Sequence, residues 1–99
     1  MKIAVVFTAR ARRQLQTALQ WWQQNREKAP NALRDDLDDA LELLIETHDI
    51  GVMVGKRGFR PIRRYHLQRT SYDIYYFVAQ GVLTVTNVWH SSRRPPSQL

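Results

Sequence analysis

The chain contains no cysteine. Disulfides and thiolate-bound metals are therefore excluded, and the composition suits a reducing cytosol. No apolar run approaches the roughly 20 residues needed to cross a bilayer, so no membrane partner is expected. The opening MKIAVVFTARARRQ has too short an apolar stretch for a secretory signal and lacks a small-residue cleavage site. It is expected to be an intact N-terminus of a cytoplasmic protein. Internal repeats and low-complexity segments are also missing. What is present suits one packed domain: 99 residues, 43% hydrophobic and 10% aromatic. That length leaves no room for a second core. Residues 1–92 are expected to form the domain, and the polar residues 93–99 a flexible tail.

Acid is scarce outside one stretch. Residues 1–30 hold six bases and one acid; residues 31–49 hold seven acids and Arg34; residues 50–99 hold eight bases and Asp73. The net charge is +6. Such a chain is suited to acidic partners, either nucleic acid or an acidic protein segment.

Hydrophobic spacing organises the chain. Residues 3–7 form a short apolar run, read as a buried strand. Thr8 suits a helix N-cap. From residue 9 to about 25, Ala11, Leu15, Ala18, Leu19 and Trp22 mark one helical face, with Trp21 off the stripe. A second helix is predicted over about 31–47, with Leu33, Leu37, Ala40, Leu41, Leu44 and Ile45 as its stripe. Asp35, Asp36, Asp38 and Asp39 read as a solvated face near the positive end of its dipole. The stretch HDIGVMVGKRGFRP, with three glycines and a final proline, reads as a loop. Strands are predicted over 60–67, 72–78 and 82–89, the last two joined by a tight Gln80-Gly81 turn. The predicted order is β-α-α-β-β-β: an α+β fold with an N-terminal helical hairpin packed on an antiparallel sheet.

Enzyme chemistry is thinly represented. The carboxylates gather on one helix, which leaves no paired acid–base centre. His48, His66 and His90 lack metal-ligand spacing, and GKRG lacks the phosphate-loop pattern. No cofactor or metal is expected. A Ser71–His90–Asp73 triad can be assembled only on paper. What remains is a basic and aromatic set: Arg60, Arg63, Arg64, His66, Arg69, Tyr72, Tyr75, His90, Arg93 and Arg94. Arginine forks take carboxylates or phosphates bidentately, and Tyr and His rings stack on bases. A metal-free ribonuclease could also be built from these parts, with His90 as acid or base. The bland alternative is core tyrosines, edge-solvating arginines and a strand that ends in histidine.

The layout FTARARRQL, two helices, then RPIRRYHLQRTSYDIYYFV and LTVTNVWHSSR resembles the RelE/ParE superfamily of bacterial toxins from type II toxin–antitoxin systems, and most of all its ParE branch. The pattern rests on Arg60, Leu67, Arg69, Thr70, Tyr72, Tyr75, Tyr76 and Val78, followed by His90 and Arg93. The resemblance implies a growth-arresting, plasmid-stabilising toxin that inhibits DNA gyrase. It also implies an antitoxin with a ribbon-helix-helix half and an acidic or amphipathic C-terminal segment. The RelE branch instead implies ribosome-dependent mRNA cleavage, for which His90, Arg93 and Arg63 would be the catalytic candidates. A degenerate toxin that only binds its antitoxin is a third reading. The family often carries arginine where Asp73 stands. Lys56 is the one lysine beyond the helices, and no tyrosine follows His90. These departures favour a gyrase-binding inhibitor with no catalytic residues. Its contacts to target or antitoxin are expected at Arg60, Arg63, Arg64, Tyr72, His90 and Arg93.

Overall fold

The computed structural model describes residues 3–99. Seven elements follow in order: β1 (Ala4–Phe7), α1 (Ala9–Asn25), α2 (Ala32–Glu46), β2 (Val52–Arg57), β3 (Arg60–His66), β4 (Tyr72–Ala79) and β5 (Val82–His90). They build one five-stranded sheet in the order β1-β5-β4-β3-β2. β1 runs parallel to β5, and the other pairs are antiparallel. The α+β class and the helical hairpin on the sheet are as expected.

Thr8 caps α1 as its chemistry demands, its side-chain oxygen accepting from the Ala11 backbone N–H at 3.1 Å. The two helices bury their apolar stripes against one sheet face. Ala11, Ala18, Leu33, Leu37, Ala40 and Leu44 meet Leu67, Tyr72, Ile74, Tyr76, Leu83, Val85 and Val88. Gln80 and Gly81 both take positive φ (53° and 76°), the backbone a type I′ hairpin requires.

Three expectations change. First, the glycine-rich stretch is not a loop throughout, because Val52–Arg57 pairs with β3. Gly58, at φ 64°, closes that hairpin in two residues, and Gly55 sits within the strand beside a register shift. Glycine here supplies turn geometry and a bulge, so its frequency mimicked a loop. Second, the first strand, Ala4–Phe7, is an edge strand buried on one face only: Val5 and Phe7 pack on the core while Ala4 and Val6 face solvent. Third, Asp36 is buried. Its carboxylate accepts from the backbone N–H of Arg69 and Thr70 and from the Thr70 hydroxyl. It thus ties α2 to the β3–β4 loop instead of solvating a helix face. Among the described residues, no helix is long and apolar enough to cross a membrane.

The last residues turn back over the sheet. The Trp89 indole N–H donates to the Arg94 carbonyl. Asn87 Nδ2 donates to the Gln98 carbonyl, and the Arg10 guanidinium donates to the Gln98 side chain.

Candidate functional site

Where β4 starts and β5 ends, Tyr72 and His90 are cross-strand neighbours on the helix-covered face. Their rings meet edge-on with centroids 5.0 Å apart. Opposite them, α1 presents Thr17, Ala18, Trp21 and Trp22 across an open groove of about 570 Å³. That volume lies within the range of ordinary ligand clefts. Trp21 and Trp22 meet edge-on at 5.8 Å, and the Arg26 guanidinium lies 5.4 Å and 5.6 Å from their centroids. The buried Trp22 indole nitrogen has no hydrogen-bond partner. The groove therefore has an aromatic floor and a cationic rim of Arg26, Arg69 and Arg93. No carboxylate lines it.

The rim charges are held in place. Arg69 bonds Asp39 and lies 3.9 Å from the buried Asp36. Arg93 stacks on Trp89, its guanidinium carbon 3.8 Å from the ring centroid. Such stacking orients a guanidinium without consuming its donors. Ser71, which enters β4 at φ 63°, brings its own residue and Tyr72 to the groove wall.

His90 lines this groove and is bonded to its own turn. Its Nδ1 accepts from the Ser92 backbone N–H at 3.2 Å and lies 2.7 Å from the Ser92 hydroxyl. A backbone N–H can only donate, so Nδ1 is the acceptor in that contact.

The residues singled out from sequence do not form one cluster. Tyr72, His90 and Arg93 do come together. Arg60 lies at the other end of the sheet. β3 advances six residues from Arg60 to His66, whose partner Asp73 adjoins Tyr72, so the gap is roughly 20 Å at ~3.3 Å per residue. Arg63 is committed internally, donating to the Gly51 carbonyl at 2.9 Å. Arg64 is paired with Tyr75 and Val52 on the opposite, open face. The paper triad also fails. Asp73 sits on that open face with its carboxylate 2.8 Å from His66 Nδ1, and away from His90.

Sequence reading missed the helix wall of the groove: Trp21, Trp22 and Arg26. The available signal was Trp21 lying off the apolar stripe, next to a second tryptophan and with a cation nearby.

A family model described as the ParE toxin of the type II toxin–antitoxin system, parDE, matches residues 5–95. The chain belongs to the ParE toxin family. Comparison with curated proteins gives no match. Among solved structures, a chain of the chromosomal ParDE toxin–antitoxin system from P. aeruginosa superposes with a TM-score of 0.69. It shares 16% identity, over 89% of this chain and 95% of that one. At that identity the likeness establishes the fold. In this ParE-family chain, the groove at the β4–β5 end combines aromatic and cationic side chains.

Proposed function

We propose that this chain is a ParE-type toxin that binds DNA gyrase through the α1–β5 groove and arrests growth, and that a cognate antitoxin neutralises it. Family membership supports the toxin role. The observation that carries the choice of mechanism is the lining of the groove, which gives His90 no carboxylate partner. Cleaving RNA without metal needs a base for the 2′-hydroxyl and an acid for the leaving oxygen. Here His90 Nδ1 accepts from Ser92, and the groove holds no carboxylate to act as a second acid–base group. Arg63, the third nuclease candidate, is bonded to Gly51 and is not among the groove residues. What the groove offers is aromatic surface with three guanidinium groups, which suits gripping a macromolecule. An acidic, amphipathic antitoxin segment would fit the same chemistry, its apolar side chains on the tryptophans and its carboxylates on the arginines.

The test adds purified protein to gyrase, ATP and relaxed plasmid. The expected result is loss of supercoiling and accumulation of cleaved DNA after protein removal. Unchanged supercoiling, together with cut messages in a translating extract that are spared by His90→Ala, would replace this reading with ribosome-dependent cleavage.

A further inference from the structure

The sheet separates the charges of this chain. Eight of the nine acidic side chains fall within residues 27–49, in or next to the helical hairpin. The ninth, Asp73, stands on the open face and is bonded to His66 at 2.8 Å. Cations collect on that open face instead. Arg57 and Arg60 are cross-strand partners there. Both guanidinium groups rest on the Phe77 ring, at 5.6 Å and 5.8 Å from its centroid. Like charges directly opposite each other on a sheet are destabilising. Among the described residues the ion pairs involve only Arg69 and His66 as cations, so no carboxylate side chain relieves this repulsion. Arg64 stands on the same face four residues beyond Arg60, or ~13 Å along the strand. The rings and apolar groups between these arginines are already covered. Ile62 and Tyr75 are buried. Trp89 is capped by Arg93, and Phe77 by its two arginines. The tail crosses the same face, Gln98 accepting from Asn87 and Leu99 reaching Gly55, the partner of Ile62.

Unpaired guanidinium groups with no free ring between them suit a ligand that offers closely spaced anions. We infer that the open sheet face docks double-stranded DNA by its phosphate backbone, through Arg57, Arg60 and Arg64. Duplex DNA carries one charge per ~1.7 Å of its axis, so phosphates reach both ends of this arginine row wherever it lands. Such contacts position the duplex and read no bases. Arginine forks take phosphate oxygens bidentately, and a phosphate between Arg57 and Arg60 relieves their repulsion. The acids of the helix layer turn the other side of the molecule away from DNA. Single-stranded nucleic acid is disfavoured, because its bases need open rings on which to stack. An acidic peptide is disfavoured for want of an apolar anchor: the exposed hydrophobics of these strands on this face, Val6 and Val52, stand at opposite edges of the sheet. The inference goes beyond the gyrase reading and does not depend on it, since the duplex alone is the ligand.

The probe is a labelled duplex of about 20 base pairs and mixed sequence, titrated with the full chain at several salt concentrations. Binding is read by anisotropy. The expected result is affinity that falls as salt rises, with a log–log slope of about −3, or ~−0.9 for each phosphate neutralised. In the R57Q/R60Q double variant the slope should become shallower by about two, and affinity at low salt should fall roughly tenfold or more. The R12Q/R34Q variant removes the same charge from exposed positions of the helix layer and should keep the native slope. All four changes lie at exposed positions, and matched thermal melts verify the fold of both variants. Trp21→Ala in the distant groove should leave binding intact. The inference is overturned if no binding appears at low salt, if the two double variants behave alike, or if Trp21→Ala abolishes binding. Tighter capture of a single strand of the same length, or of a glutamate-rich peptide, would overturn it as well.

Discussion

Tyr76 shows how much one buried hydroxyl organises. Its ring is fully buried in the core. Its O–H donates to the His48 carbonyl at 2.7 Å and accepts from the Gly51 N–H at 3.1 Å. The contact demands glycine at 51, since a Cβ there would lie 2.6 Å from the phenol oxygen. Tyr76→Phe would strand a buried N–H and a carbonyl, so urea unfolding should show a loss of about 1–3 kcal/mol. Burial also raises the Tyr76 pKa above its ordinary value. The folded state therefore favours the neutral phenol. The resulting stability is fully present below the unfolded value of about 10 and is lost as pH rises beyond it. Denaturation curves of the native chain should weaken above about pH 10 more steeply than those of Tyr76→Phe.

At the scale of elements, α1 serves both as core helix and as cover for a strand edge. β1 reaches only to Val85 along β5, which leaves the rest of that edge unpaired by strand. Gln14 fills the gap. Its Oε1 accepts from Val88 N at 2.7 Å, and its Nε2 donates to Asn87 Oδ1 at 3.1 Å. Gln14→Ala should lower stability by about 1–2 kcal/mol, because the N–H of Val88, a buried residue, loses its partner; a thermal melt would show it. Gln14→Glu should recover part of the loss, since a carboxylate can still accept from Val88. Helices α1 and α2 and strands β4 and β5 were legible in the sequence because their apolar spacing is local and strong. β2 was not, because Gly51, Gly55 and Gly58 carry a close approach, a bulge and a turn, and all three resemble loop signals. The groove was half legible. Tyr72, His90 and Arg93 lie near one another in sequence pattern and in space, whereas Trp21 and Trp22 join them only through helix–sheet packing, which no local spacing encodes. The scatter of Arg60, Arg63 and Arg64 has the same cause: alternation sends neighbours on β3 to opposite faces, and strand length separates its ends.

For the molecule as a whole, charge is divided by use. Part of the acidic stretch is consumed internally, with Asp36 and Asp39 holding Arg69. The cations at the groove and at the β2–β3 hairpin remain available at two ends of one sheet. The most direct test of the central claim is growth after induced expression without antitoxin, comparing the native chain with a Trp21→Ala/Arg93→Ala variant whose thermal melt matches it. The account predicts prompt arrest by the native chain and normal growth with the variant, because the groove has lost its exposed indole and one rim charge. Equal arrest by both chains, or normal growth with the native chain, would contradict it.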